Sequence, residues 1–456
     1  MLKATKIFDF IFWPFIFLLL LILNYSSGHL NSDNGVFLSG AWSLINNLNI
    51  YKDFFSFSTP GTYYLIWAVW KIFGVSYGAA LSIALLLLFT SACLIFKIAA
   101  QLNKKGAYLA VIIFCLSSAS WPIITSHIFC LPFILGAAYL IIIALKKNKI
   151  NLICLAGLLA GIAVLFLQTI GLATIAGLAI FLLWIYINKK DALNFKNLIG
   201  FICISLAPIL ILFLKWPPLF LFDKLIKFPA LNYSNTISIS YWLLSANLIF
   251  LSVFFYILNK SHRQNMVIKL LFIWQILLFL TTASYPDFEH LAFVSAPLII
   301  LFSVLIIEFL KNKLGPKFLL TFGISLSFIF YLSFYLIEAI VYLSFPSQSI
   351  IDFLNNNCHD KYIYAGPFLP EFYFETRKLN PGPSQWLLTN QHPEEYFLET
   401  ASDLERIKPD CAIVNYKMVE KFNYNKNNAV DNYLKNYYQE IRKFNETLIL
   451  KRIDTK

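Results

Sequence analysis

Two acids, Asp33 and Asp53, stand within Asn31–Tyr64, between aromatic-rich segments. Val36, Phe37, Ala41, Leu44, Ile45 and Leu48 recur at helical spacing, which predicts a helix lying in a membrane interface with one apolar face. That helix places Asp33 at its N-terminus. A carboxylate there has two readings. It caps the helix, as Asp commonly does, or it serves as a general base that takes a proton from a hydroxyl. A second segment, Gly61–Gly74, follows the turn Ser58–Gly61. Trp67, Trp70 and Lys71 suit it to the interface rather than to a span. Two such helices with acids near their starts would form a shelf at the membrane surface.

Other ionisable groups cluster between apolar runs. Tyr285–His290 brings Asp287, Glu289 and His290 together at a membrane boundary. The three could act beside the loop acids, or offer ligands to a divalent metal, although no further ligand matches them; the plainer reading is a solvated loop. Lys215, Lys224 and Lys227 surround Trp216-Pro217-Pro218 and could hold a phosphate, or simply snorkel to the interface. Lys52 and Lys71 are further cations near the acids. Glu338 lies inside an apolar run, where an ionisable side chain is expensive. No glycine-rich phosphate loop, no serine or cysteine nucleophile arrangement and no CxxC metal pattern is present, so the sequence identifies no cofactor and leaves a divalent metal as the one alternative.

The elements that position these groups are mostly membrane spans. The chain is 59% hydrophobic and 13% charged over 456 residues, against about 25% charged in a soluble domain. About eleven runs are long enough to cross a bilayer, near Ile7–Leu23, Tyr77–Ala99, Ala107–Ser118, Ile123–Leu145, Asn151–Leu167, Ala173–Ile187, Leu198–Leu214, Tyr241–Leu258, Val267–Thr281, Leu291–Leu310 and Phe318–Tyr342. The first lacks a small-residue cleavage site and is expected to stay as an anchor. The net charge of +12 comes from short basic clusters in alternate connections, such as Lys104-Lys105 and Lys146-Lys147. That placement is a topology signal and argues against nucleic acid as a partner. It puts the N-terminus in the cytoplasm and leaves the loop 25–76, the connection 215–240, Ser284–His290 and the C-terminal region outside.

Pro346–Lys456 changes composition and holds most of the acids. KYIYAG, CAIVNY and TLILKRI read as short strands and NAVDNYLKNYYQEIRKF as a helix, which predicts a small external α/β domain over 346–456 behind a membrane domain over 1–345. Cys358 and Cys411 each open a proposed strand. A disulfide between them and two free buried thiols remain alternatives.

Taken together, the layout resembles the GT-C superfamily of membrane glycosyltransferases, in particular the family 39-like enzymes that include protein O-mannosyltransferases and lipid A aminoarabinose transferases. The resemblance covers nearly the whole chain. It is carried by Asp33 with Gly35, by Ala41, by Tyr51-Lys52-Asp53-Phe54, and by Pro60-Gly61 with Tyr63-Tyr64. It implies an all-α polytopic membrane protein with interfacial helices in the first external loop. It makes Asp33 the catalytic carboxylate and Asp53 the second loop acid. Asp287 and His290 look similar to an acid–His pair of related proteins. Asp33-Asn34 replaces a common Asp-Glu, and Ser58-Thr59-Pro60 replaces a common His-Pro-Pro, departures that bear on the sugar and acceptor.

The function implied is inverting transfer of a sugar from a polyprenyl-phosphate donor to a hydroxyl of a glycan, lipid or protein at the outer face of the plasma (inner) membrane. Tyr51, Lys52, Pro60, Tyr63, Lys71, Lys215, Lys224 and Glu289 would contact the substrates. The rival class is a transporter or lipid flippase. Such proteins often show repeated halves and broken helices, and neither stands out in this sequence.

Overall fold

A computed structural model describes residues 2–25, 32–118, 123–188, 193–232, 265–282, 288–311 and 347–453. In chain order the helices are α1 (Leu2–Tyr25), α2 (Ser32–Ile45), α3 (Gly61–Phe73), α4 (Tyr77–Ala99), α5 (Lys104–Ser117), α6 (Ser126–Lys147), α7 (Asn151–Phe166), α8 (Gln168–Asn188), α9 (Phe195–Lys215), α10 (Pro218–Phe222), α11 (Phe228–Asn232), α12 (Met266–Thr281), α13 (Phe288–Val294), α14 (Ala296–Lys311), α15 (Ser347–Asn357), α16 (Glu371–Glu375), α17 (Glu394–Ile407) and α18 (Ala429–Tyr437). A π-helical turn, Asp223–Lys227, joins α10 to α11. The strands are β1 (Tyr364–Gly366), β2 (Cys411–Val414), β3 (Tyr438–Phe444) and β4 (Thr447–Arg452).

The chain divides into two compact units. The first contains Met1–Ser27, Ser82–Pro218 and Ile237–Leu343. Among the described residues, α4, α6, α8 and α9 are long and apolar enough to cross a membrane, and shorter apolar helices cover Asp9–Asn24, Asn151–Phe166, Met266–Thr281 and Ala296–Ile307. The proposed spans Tyr241–Leu258 and Phe318–Tyr342, and Glu338, lie outside the described residues.

Small residues let these helices approach closely. On α7, Gly157 and Gly161 lie four apart, and a Cβ at Gly157 would stand 2.5 Å from the Phe201 carbonyl oxygen of α9, a small-xxx-small contact. Two buried polar side chains show how a low-dielectric interior is satisfied. Trp274 Nε1 donates to Thr174 Oγ1 at 3.1 Å. Gln275 Nε2 donates to the Val294 carbonyl at 2.9 Å, and its Oε1 accepts from Leu298 N at 2.8 Å. This one side chain thereby satisfies backbone groups at the break between α13 and α14.

The second unit contains Gly28–Leu81, Leu219–Thr236 and Ser344–Lys456. Its sheet runs β1-β2-β4-β3, with β1 and β2 parallel and the other pairs antiparallel. The apolar runs of β1 and β2 are buried throughout. Cys358 and Cys411 are bonded, with Cα atoms 5.8 Å apart. That resolves the two alternatives left by the sequence.

Two local expectations are corrected. The helix expected to reach Phe444 ends at Tyr437. Residues 438–444 instead form β3, because they pair antiparallel with β4 across the turn at Asn445, whose φ is 51°; tertiary pairing outweighs local helical preference. The helix α2 is also not covered on one apolar face alone. Phe37, Ala41 and Leu44 are buried, and so are Ser32, Asn34, Ser39 and Ser43. The C-terminal segment supplies the second cover: Ser39 Oγ donates to Gln385 Oε1 at 2.8 Å and Trp42 Nε1 to the Lys378 carbonyl at 3.1 Å.

Candidate active site

Asp33 lies in the first turn of α2 and is partly buried. The residues around it are fixed from the C-terminal segment. Ser32 Oγ approaches the Phe368 carbonyl at 3.1 Å and Glu371 Oε1 at 3.5 Å. A Cβ at Gly35 would lie 2.7 Å from Glu371 Cα, closer than atoms pack, so only glycine admits this contact. On the far side of α2, a Cβ at Gly40 would meet the Tyr63 ring at 2.5 Å. The glycines thus seat α2 between α3 and α16.

Glu371 was not singled out in the sequence. It is 4% exposed, and its Oε2 has no hydrogen-bond partner among the described residues. Burial pushes its carboxyl up to about 8, and the nearby charges of Asp33 and Glu375 add to the rise. The available signal was a carboxylate inside the aromatic run Pro370-Glu371-Phe372-Tyr373-Phe374, where an acid must be buried with the rings or displaced from them.

The loop between α2 and α3 is tightly organised. Asp53 Oδ2 accepts from Asn49 N at 2.7 Å and Asn49 Nδ2 at 3.0 Å, which closes the turn 49–53. Tyr51 has φ 67°, rare for an aromatic residue. It is held there by its hydroxyl, which donates to the Ser58 carbonyl at 2.7 Å. Burial raises the hydroxyls of Tyr51 and Tyr63, the latter to about 12. Tyr63 O–H also meets Ser56 Oγ at 3.2 Å. Pro60 precedes the first residue of α3. Lys52 is exposed, and Lys71 lies 5.9 Å from the Trp67 ring.

Aromatic residues anchor the segment 219–232 to the same unit. Phe55, Phe228, Trp386, Leu388 and Val419 form one buried cluster. Lys224 Nζ sits about 6 Å from the rings of Phe55, Phe220 and Tyr396. His392, also not singled out in the sequence, lies 4.5 Å from Trp386, and burial pushes its imidazole down to about 3.

The second unit contains Asp33, Asp53, Tyr51, Lys52, Pro60, Tyr63, Lys71 and Lys224, and also Glu371. Lys215 and His290 belong to the first unit. Lys215 Nζ lies 4.8 Å from the Trp216 ring. The His290 ring stands 5.0 Å from that of His127, which stacks on Phe293 at 4.4 Å. Glu289 lies in α13, and Asp287 is outside the described residues. Among the described residues no three His, Cys, Asp or Glu side chains form a metal-holding group.

Comparison with known proteins bears on this arrangement. The family model for dolichyl-phosphate-mannose-protein mannosyltransferase matches residues 58–215. No curated protein matches the chain. Among solved structures, the chain is similar to ArnT from Cupriavidus metallidurans bound to undecaprenyl phosphate, with a TM-score of 0.66 at 10% identity over 98% of both chains. The apo state of that protein gives 0.65 at 10% identity, over 99% of this chain and 98% of the other. An Archaeoglobus fulgidus oligosaccharyltransferase tethered to an acceptor peptide gives 0.52 at 11% identity, over 95% of this chain and 72% of the other. The GT-C resemblance read from the sequence is borne out.

Proposed function

From a GT-C architecture, we propose that the chain is an inverting glycosyltransferase. It would move a sugar from a polyprenyl-phosphate donor to an acceptor hydroxyl at the outer face of a plasma membrane. The observation that carries this reading is Asp33, a partly buried acid in the first turn of a helix seated from both sides. Undecaprenyl phosphate, the molecule bound in the similar ArnT structure, supports a lipid-phosphate donor. The Cys358–Cys411 bond supports an oxidising, external location for the second unit.

In this mechanism Asp33 accepts the hydroxyl proton as the acceptor oxygen attacks the anomeric carbon. The new carbon–oxygen bond forms on one face while the bond to phosphate breaks on the other, so configuration inverts and polyprenyl phosphate leaves with the electron pair. A cation stabilises that leaving charge. Lys52, Lys71 and Lys224 are the candidates in the second unit, Lys215 the one in the first. Asp53 shapes the loop that carries Lys52, through its two bonds to Asn49. His290, with Asp287 and Glu289, remains our candidate for acceptor contact.

The test is transfer from a panel of polyprenyl-phosphate sugars by folded, membrane-inserted protein. Asp33→Asn keeps the size and shape of the side chain in the first turn of α2 and removes the base. Loss of about 10²–10⁴-fold in rate is expected. Full activity in Asp33→Asn would refute the assignment.

A further inference from the structure

The reaction above gives Glu371 no task, yet its setting is unusual. It is the first residue of α16 and its carboxyl is turned toward the first turn of α2. Ser32 and Gly35, one and two positions from Asp33, are the residues it touches. One carboxyl oxygen has a long contact with the Ser32 hydroxyl, the residue's own backbone also acts on the carboxyl, and the other oxygen has no partner among the described residues. Burial is the largest influence on it; the Glu371 backbone and the Ser32 hydroxyl favour the ionised form, and the charged groups that act on it, Asp33 from α2 and Glu375 on its own helix, are both acidic. Tyr373 is coupled to it too, but that hydroxyl is occupied with the Ala365 backbone and Asn380. Arg377 acts on Glu375 instead, and its guanidinium lies over Phe374 at 4.1 Å. No cation is among the groups that act on Glu371, so a buried anion there would be poorly compensated.

We propose that Glu371 is a positioning residue for Asp33: its buried carboxyl and backbone, set against Ser32 and Gly35, fix the first turn of α2 and so the direction from which Asp33 meets the acceptor. The inference rests on the reading of Asp33 as base. Loss of the Glu371 proton to solvent at alkaline pH places a second anion beside Asp33 and loosens the contacts at Ser32 and Gly35. The enzyme therefore carries an alkaline limit set by a residue that never touches substrate.

The experiment uses the full chain in lipid nanodiscs and has two arms. In the first, transfer from whichever polyprenyl-phosphate sugar proves active is measured at pH 7 and pH 9 for the natural protein and Glu371→Gln. Ionisation near pH 8 lowers the pH 9 to pH 7 activity ratio of the natural protein to about one tenth. Glutamine cannot ionise, so its ratio should be about tenfold higher. In the second arm, amide hydrogen exchange of residues 32–38 is followed from pH 7 to pH 9 and corrected for the intrinsic rate. Protection should fall across this window in the natural protein while strand 411–414 stays protected. Equal activity ratios in the two proteins would overturn the proposal, as would pH-independent protection of residues 32–38. Should Glu371→Gln fail to fold, the exchange arm on the natural protein decides alone. Absence of transfer from every donor would refute the transferase reading, and the exchange arm would still report whether Glu371 holds α2.

Discussion

Glu371→Gln should stabilise the protein, and by more as the pH rises. The carboxyl's ordinary value is 4.5 and burial lifts it to about 8. Between those values the unfolded chain gives up a proton at this position and the folded chain does not. The unfolded state then binds fewer protons, so stability falls with rising pH, by about 1.36 kcal/mol for each pH unit, and levels off above about pH 8. The full difference is about 5 kcal/mol. Glutamine has nearly the same shape and no proton to lose, so the gap between the two proteins should be small at pH 5 and widest by pH 8. For a domain of 150–250 residues it amounts to about 10–20 °C in melting temperature, at about 2–4 °C per kcal/mol. The assay is thermal unfolding of both full-length proteins in one detergent at several pH values. An infrared carboxylic-acid band present at neutral pH and absent in Glu371→Gln checks the protonation state directly. A gap that does not change with pH would refute the reasoning, because it would mean that Glu371 is ionised and compensated in the fold. A natural chain that keeps so unfavourable an acid next to the proposed base is expected to gain something from it, since strongly perturbed groups concentrate at functional sites.

Further outcomes follow from the same geometry. Gly35→Ala forces a Cβ against the Glu371 backbone and should cost about 1–3 kcal/mol by overpacking, with reduced transfer because the turn carrying Asp33 must move; a silent variant would show that α2 and α16 slide freely. Replacing both Cys358 and Cys411 by serine opens a cross-link with a sequence separation of 53 and should destabilise by about 4 kcal/mol on the chain-entropy estimate, read as a lower denaturant midpoint. A reporter active only in the cytoplasm should be inactive when fused after Lys456 and active when fused after Lys313; activity at Lys456 would remove the external site. Asp53→Ala releases Asn49 N and Nδ2 and should loosen the turn 49–53 by about 1 kcal/mol, detectable as faster hydrogen exchange there.

What the sequence revealed, and what it hid, divides by the distance over which each signal acts. Unbroken apolar runs locate α4, α6, α8 and α9 because span length is a local property. CAIVNY and TLILKRI announce β2 and β4 for the same reason, whereas a bond between Cys358 and Cys411 stayed one of two alternatives until the fold brought them together. β3, the second antiparallel partner of β4, was missed, since residues 438–444 read locally as helix and only their pairing makes them a strand. The surroundings of Asp33 are an extreme case. Its neighbour Ser32 is held by Phe368, 336 positions away, and Ser39 by Gln385, 346 positions away. No pattern within the stretch Asn31–Tyr64 reports those partners, so α2 looked like a helix with one apolar face and several idle serines. The serines and glycines are instead its contact surface, and they explain why the helix contains so many small residues. The acid itself was legible because its type and place in the loop are local. The second carboxyl beside it was not, because Glu371 becomes a perturbed group only when α16 folds back onto the start of α2. The chemistry of the proposed site thus depends on a long-range contact that closes last in sequence terms, and Asp33 is not fully equipped until the C-terminal segment has docked onto α2.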